Sequence, residues 1–289
     1  MRYLIVGGVA AGTKVAAKLK RCDRSAEVVV VTKSEDISYA GCGLPYYIGG
    51  DIQTRGELIV NTPAAYEGLT GVEVRTGVEA VALNAAGHEV TVREKDGSEH
   101  GEKYDKLVIA TGASPLVPAS IPGTDLPGVF TVRTPDDAEA IRNRVDAGAR
   151  RAVVVGAGFI GLEVAENLLA RGLSVTAIDA MPQILPNVFD PEMAGFAQRQ
   201  LKAAGVRVMT SCPLVSIKGD AQVEGVETGA GTLPADLVIL SIGIRPNTAW
   251  LEGSGVTLDR GCVVVDEFGA TNVADVYAAG DCAEVTNAI

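Results

Sequence analysis

Short apolar runs closed by glycine alternate with helical patterns through most of the chain. Tyr3-Leu4-Ile5-Val6 reads as a buried strand that ends at Gly7-Gly8, and a helical pattern follows over residues 11–21. Glu27-Val28-Val29-Val30-Val31 is a β-branched run too short for a helix, the mark of a strand buried on both faces of a parallel sheet. Residues 72–100 change period. Val72-Glu73-Val74-Arg75 and His88-Glu89-Val90-Thr91-Val92-Arg93-Glu94 alternate, broken by Gly87 and Asp96-Gly97, and predict antiparallel hairpins. Lys106-Leu107-Val108-Ile109-Ala110 returns to a buried strand. A connection containing prolines and a polar helix over 135–145 follow. At Ala152 the first pattern restarts: strand, glycine turn, helix to about 171, strand at Ser174–Ile178, helix near 191–204, strand near 206–209, a hairpin region, and a returning strand at Leu237–Ile242. The same unit occurs twice, which predicts internal duplication.

Composition narrows the class. A length of 289 residues suggests about two domains. With 47% hydrophobic residues and 34 glycines spread along it, the chain fits an α/β protein rich in tight turns and not a disordered one. The formal charge of −11 argues against nucleic acid, whose phosphates call for a surplus of lysine and arginine. No apolar run reaches the roughly 18 residues of a spanning helix, so no membrane association is expected. The first apolar run is too short for a signal peptide, and Lys14, Lys18 and Lys20 follow it. The five cysteines are odd in number and form no C-x-x-C pair, which predicts a reducing, cytoplasmic setting. His88 and His100 lie in polar stretches, and no metal site is expected.

Gly156-Ala157-Gly158-Phe159-Ile160-Gly161 matches G-x-G-x-x-G in full, after a strand and before a helix. Gly156 makes the tight turn, Gly158 admits a pyrophosphate close to the backbone, and Gly161 lets helix and strand pack closely. Asp179 lies 18 residues past Gly161 at the end of the next strand. A carboxylate there accepts from a ribose 2′-hydroxyl and repels a 2′-phosphate, and no arginine follows it, so NADH is expected over NADPH. Gly7-Gly8-Val9-Ala10-Ala11-Gly12 is a weaker copy. Val9 takes the middle position, and the strand ends in Thr32 and Lys33 rather than in an acid. Far along the chain, Tyr277-Ala278-Ala279-Gly280-Asp281 is a strand, a turn and an acid expected to open a helix.

Between the two turns stands Cys42, in Ser38-Tyr39-Ala40-Gly41-Cys42-Gly43-Leu44-Pro45-Tyr46-Tyr47. With no neighbouring cysteine it cannot close a disulfide in its own loop. Its partner must be a second sulfur or an oxygen brought by the substrate. The thiolate is the nucleophile in such chemistry.

Together these motifs, with Ala110-Thr111-Gly112 and Gly243-Ile244-Arg245-Pro246-Asn247, resemble the FAD-dependent pyridine nucleotide-disulfide oxidoreductase family over nearly the whole chain. The single Cys42 is similar to its branch of coenzyme A-disulfide reductases, NADH-dependent persulfide reductases, NADH oxidases and peroxidases, and the Cys42–Gly49 run to the first two. The resemblance implies an α/β fold of two Rossmann-like, three-layer ββα dinucleotide-binding domains. The FAD domain (residues 1–112 and 243–289) would be discontinuous, with the NAD(H) domain (113–242) inserted. It implies FAD held by Gly7, Val9, Ala10, Ala11, Gly12, Thr32, Lys33, Ser34, Ala80, Ala110, Thr111, Gly112, Gly280 and Asp281, with Arg133 near the flavin. NADH would lie along Gly156, Gly158, Phe159, Ile160, Gly161, Glu163, Asp179 and Gly243. Phe159 would gate the flavin, and Glu163 would sit near the flavin–nicotinamide contact. Electrons are expected to pass from NADH through FAD to Cys42 and on to a small disulfide or persulfide such as coenzyme A disulfide. Ser38, Lys18 and Arg21 would meet that substrate, the last two through its phosphates.

Three points depart from the family pattern. Thr32 stands where the family carries a glutamate. Ala10 replaces a histidine common in the oxidases and peroxidases, which favours sulfur over peroxide. The chain stops at Ile289, where the family continues with a dimerisation domain of about 100 residues. That reads as truncation of a homodimeric enzyme. The alternatives are an NADH oxidase or peroxidase cycling Cys42 through a sulfenic acid, and a nucleotide-binding fragment without turnover.

Overall fold

The computed structural model describes residues Met1–Val285. The chain divides into two compact units: Met1–Tyr39 with Ile59–Ser114 and Arg245–Ile289, and Ala40–Leu58 with Pro115–Ile244. The short segment 40–58 thus belongs to the second unit, and no compositional break marks its ends.

In the first unit five parallel strands stand in the order Val276–Ala278, Lys106–Ile109, Arg2–Val6, Glu27–Thr32, Glu73–Thr76. Register pairs Leu4 with both Val29 and Leu107. Both faces are apolar because both are covered, as a parallel sheet requires. On one side Ile5, Val28 and Val30 pack with Ala16 of the Ala10–Cys22 helix and Tyr66 of the Pro63–Thr70 helix. On the other, Leu4, Val29, Val31 and Leu107 meet Leu83, Val90 and Val92 of a three-stranded antiparallel sheet, Glu79–Asn84, Glu89–Arg93 and Glu99–Lys103. The layers are therefore ββα. The alternating 72–75 run is not part of that antiparallel sheet. Glu73–Thr76 pairs parallel to Glu27–Thr32 and forms the edge of the main sheet. A period-two pattern marks a half-exposed strand and is silent on its direction.

The second unit repeats the plan, with parallel order Arg207–Met209, Ser174–Ile178, Arg151–Val155, Leu237–Leu240, Val129–Phe130. An antiparallel sheet of Leu214–Lys218, Gly225–Thr228 and Gly231–Pro234 packs on one face through Ile217, Val226 and Leu233. The Pro135–Asp146, Phe159–Ala170 and Pro191–Ala204 helices contribute Ile141, Leu168 and Ala194 to the other core. Leu44, Tyr47, Ile48 and Leu58 of the 40–58 segment join that core.

In the first unit Glu102, its side chain 8% exposed, ties the antiparallel layer to the main sheet. Arg2 Nη2 donates to it at 2.7 Å, His100 Nε2 lies at 3.1 Å, and Arg75 pairs with its other oxygen. Burial alone would raise its carboxyl. The Arg2 hydrogen bond, the Arg75 charge and the hydrogen bonds from His100 and Arg75 outweigh that and hold it below the ordinary glutamate value. A carboxyl depressed on folding contributes stability above its unfolded pKa of about 4.3, and the contribution is lost as pH falls through the folded value. Glu102→Gln should therefore cost about 2 kcal/mol at pH 7, because it removes the charge from hydrogen bonds to two half-buried guanidiniums, which keep their pairs with Glu27 and Glu73. The difference from the parent should shrink as the medium is acidified. Urea unfolding followed by Trp250, the single tryptophan and packed on this core, reads the change; equal midpoints at pH 7 would refute it.

Candidate nucleotide and thiol sites

The two glycine turns share one geometry. Gly7 and Gly156 have φ of +118° and +100°, a region that glycine enters at little steric cost. A Cβ on Gly7 would stand 2.0 Å from the Ala110 carbonyl oxygen, and one on Gly156 would stand 2.1 Å from that of Ser241. Gly12 and Gly161 repeat the match. Their Cβ positions fall 1.8 and 2.0 Å from the carbonyl oxygens of Gly7 and Gly156. The middle position differs in kind. Gly158 has φ −81°, and a Cβ there meets nothing within 4 Å; Val9 has φ −101°. Backbone conformation does not demand glycine there, so the fold tolerates Val9.

The helices that follow these turns begin without a side-chain cap and with no acid in the first turn. The helices starting after Thr62, Thr134 and Asp190 are each capped by that residue's side chain. The turns thus leave helix amides and the positive end of the dipole available to an anion, and in the second unit open space above Gly158 to receive it. Both features fit the pyrophosphate of a dinucleotide.

Asp179 is half-buried. One oxygen accepts from Ala157 N–H at 2.7 Å and the other from Met181 N–H at 2.8 Å, which fixes the carboxylate beside the turn. The equivalent residue of the first unit is Thr32, because Gly7 N–H donates to Val31 O as Gly156 N–H does to Ile178 O. Thr32 is buried, its Cγ2 3.0 Å from the Cβ position of Gly8. Lys33 extends outward to an ion pair with Glu79 at 2.8 Å, next to Ala80, and Ser34 Oγ accepts from Asp36 N–H.

Other first-unit motifs converge on the turn. Gly280 packs on Ala11, with a Cβ position 2.9 Å from the alanine methyl. Ala110–Gly112 is held by Asn247. Thr111 Oγ1 donates to Asn247 O at 2.8 Å, Asn247 Nδ2 to Thr111 O at 3.0 Å, and Asn247 N–H to Gly112 O at 2.9 Å. Asn247 closes the Gly243–Asn247 motif, and its bracing of Thr111 carries no signal in the sequence. Exposed Asp281 does not open a helix. The next residues, Ala283–Glu284, pair parallel to Cys262–Val264, and that ladder takes the backbone bonds a helix would need.

Lys18 and Arg21 are exposed, three residues apart on the Ala10–Cys22 helix of the first unit. Lys20 is spent on the carbonyls of Arg24 and Ala26. Ser38, also in the first unit, is half-buried with φ +46°. In the second unit Phe159 and Ile160 are 56% and 45% exposed at the start of their helix. Glu163 is half-buried and Gly243 exposed. Arg133 lies in the same unit, its N–H donating to Asp137 at 2.9 Å.

Cys42 is exposed, within a turn of 3₁₀ helix at Gly41–Gly43. The Leu44–Gly49 helix that follows has only six residues. Gly43 N–H donates to Ala40 O and Ala40 N–H to Leu58 O, closing the segment at its base. Among the described residues no cluster of three or more His, Cys, Asp or Glu could hold a metal, and no helix is long and apolar enough to cross a membrane.

The two glycines of the second turn should separate binding from folding. Gly158→Ala should leave stability within about 0.5 kcal/mol of the parent and weaken NADH binding about tenfold by filling the space above the turn. Gly161→Ala should destabilise the second unit by about 2 kcal/mol, because its methyl lands on a backbone carbonyl. Calorimetric NADH titration beside thermal unfolding tests both. Tight NADH binding to the Gly158 variant would remove the turn from the site.

The family profile for pyridine nucleotide-disulphide oxidoreductases matches residues 1–289. An NADH oxidase of Methanocaldococcus jannaschii is 38% identical over 290 residues, covering 100% of this chain and 64% of that protein. A CoA-dependent NAD(P)H sulfur oxidoreductase of Pyrococcus abyssi is 39% identical over 99% of this chain and 63% of its own length. The solved structure of an NAD-dependent persulfide reductase from A. fulgidus superposes with a TM-score of 0.96 at 36% identity, covering 99% of this chain and 54% of that one. The chain spans just under two thirds of the curated relatives it matches, and it belongs to the pyridine nucleotide-disulphide oxidoreductase family.

Proposed function

We propose that the chain is the two-nucleotide part of an NADH-dependent flavoenzyme that reduces a low-molecular-weight disulfide or persulfide of the coenzyme A type through Cys42. The observation that carries this reading is an exposed, solitary thiol on a chain with two glycine turns of matching geometry. The CoA-dependent sulfur oxidoreductase and persulfide reductase among its relatives support the choice of a sulfur acceptor. FAD, when bound, supplies the two-electron relay between nicotinamide and sulfur.

The remaining roles fall to the chain's own residues. Amides at the start of the Ala10–Cys22 helix, with Ala110–Gly112, Gly280 and Asp281, hold the flavin nucleotide. The Phe159–Ala170 helix and Asp179 hold NADH, the carboxylate accepting from the adenosine ribose. Exposed Phe159 covers the reaction face until nicotinamide displaces it. The Cys42 thiolate attacks one sulfur of the substrate disulfide, forming a mixed disulfide and expelling the other half as a thiolate, which takes up a proton. Two electrons from NADH then cleave the mixed disulfide, restoring Cys42 and releasing the second thiol. Lys18 and Arg21 offer charge to the substrate's phosphates.

An NADH oxidase activity is the second reading, favoured by the relative of that name in Methanocaldococcus jannaschii. There Cys42 would cycle through a sulfenic acid.

Anaerobic titration with NADH of the protein reconstituted with FAD should bleach the visible spectrum. It should also raise a long-wavelength thiolate–flavin band that Cys42→Ser abolishes. Coenzyme A disulfide should then restore the oxidised spectrum faster than air does; the reverse order would favour the oxidase. A protein that takes up no FAD would refute the proposal. Asp179→Ala should lower the preference for NADH over NADPH about tenfold, through loss of ribose acceptance and of repulsion toward a 2′-phosphate. Steady-state kinetics with the two nucleotides reads that ratio.

A further inference from the structure

The segment that carries Cys42 is gripped by the helix that opens on the second glycine turn. Phe159–Ala170 begins at the turn with exposed Phe159 and Ile160. About 18 Å further along its axis, at 1.5 Å per residue, comes Arg171. Its Nη1 donates to Ile48 O at 2.9 Å, and its other arm pairs with Asp146. One turn earlier Asn167 is buried, and Gly49 lies against it so closely that a Cβ would fall 2.1 Å from Asn167 Oδ1. Between these ends Leu162, Ala165 and Leu168 share a core with Leu44, Tyr47 and Ile48. A second guanidinium closes the far side. Arg142 Nη1 faces the carbonyls of Tyr47, Ile52 and Gln53 at 3.3, 3.1 and 3.0 Å, and its Cζ sits 4.6 Å from the Tyr47 ring centre.

These carbonyls belong to the end of the short Leu44–Gly49 helix and the turn after it, where helical partners run out; Tyr47 O also accepts from Gly50 N–H at 3.3 Å. Each arginine meets them through one nitrogen, Nη1, whose two N–H groups Arg142 shares among three carbonyls. Cys42 lies two residues before that helix and is itself exposed, so its place depends on how firmly the helix is held.

We propose that Arg171 and Arg142 are positioning residues for Cys42, and that the Phe159–Ala170 helix links occupancy of the second glycine turn to the reactivity of this thiol. The proposal rests on Cys42 being the reactive sulfur. The thiol moves with the unit that takes the nicotinamide nucleotide.

The test is alkylation of Cys42 by iodoacetamide, followed by peptide mass spectrometry across a pH series with exposed Cys22 as internal reference. It is run on the FAD-reconstituted protein with and without NAD⁺, which brings no electrons. Hydrogen exchange of residues 44–52 is measured in parallel. Without nucleotide, Arg171→Met and Arg142→Met should each change the Cys42 rate about tenfold or shift its pH profile. They should also speed exchange at 44–52, with Cys22 unchanged, and Arg171→Lys should restore part of the effect. In the parent, NAD⁺ should slow Cys42 alkylation and exchange at 44–52. In Arg171→Met, NAD⁺ should bind with unchanged affinity but lose most of that effect.

Parent-like Cys42 rates, pH profile and exchange in both methionine variants would overturn the positioning role. Equal protection by NAD⁺ in parent and Arg171→Met would overturn the link, since direct shielding would then explain it. Cys42 reacting no faster than Cys22, with exchange at 44–52 still loosened in the variants, would refute the reactive-thiol reading and leave the clamp standing. Exchange in the Arg151–Val155 strand checks that each variant is folded.

Discussion

The contact between the first and third glycine of each turn governs how close the helix comes to its strand. The carbonyl oxygen of Gly7 occupies the space that a side chain on Gly12 would need, and Gly156 stands in the same relation to Gly161. Any larger residue at the third position would push the helix away from the sheet. The first glycine is pressed in turn against the strand that returns to the sheet, through Ala110 O in one unit and Ser241 O in the other. One close contact therefore aligns the first strand, the following helix and the returning strand. It also leaves the helix amides facing outward beyond the sheet edge.

That arrangement leaves the helix start without a cap. Elsewhere the side-chain oxygens of Thr62, Thr134 and Asp190 each accept from a backbone N–H in the first turn of a helix, an interaction worth about 1 kcal/mol. At the glycine turns no side chain takes this role, which leaves the amides open to an external anion. The two copies then diverge at the end of the second strand. Asp179 turns back to accept from Ala157 N–H, which sets a carboxylate at the rim of the site. Thr32, in the same structural place, buries its methyl against Gly8 and presents no charge. The proposed discrimination between ribose and phosphorylated ribose therefore rests on the second turn, where the carboxylate is held in place.

Much of this was legible in the sequence because glycine at a positive φ and a short β-branched run each have few alternative explanations. The strands at Glu27–Thr32 and Ser174–Ile178 and the helix at Pro191–Ala204 follow their patterns closely. The edge strand Glu73–Thr76 was misjudged because alternation does not encode direction. The turn after Asp281 was misjudged because an acid at a strand end serves a turn as readily as a helix start. Asn247, Asn167, Arg142 and Arg171 were invisible as braces. Their partners are backbone carbonyls far away in sequence, and a carbonyl leaves no residue-type signal.

The braces explain why Cys42 can be exposed and yet held. Its neighbours differ: a Cβ on Gly41 would meet nothing, whereas one on Gly43 would meet Ile52 and Leu58 at 3.1 Å. The chain is thus open on the side before the thiol and packed on the side after it. Leu44, Tyr47, Ile48 and Leu58 bury the segment, and the arginines fix its carbonyls. A thiol on a free loop would reach many orientations and hold none, at the entropic cost of ordering it on each encounter. Placed two residues before a clamped helix, it keeps access to small substrates while most of that ordering is done in the folded chain. The segment belongs to the second unit, and its core is continuous with that of the second glycine turn, so under the proposed function the thiol for sulfur and the turn for nicotinamide nucleotide share one core.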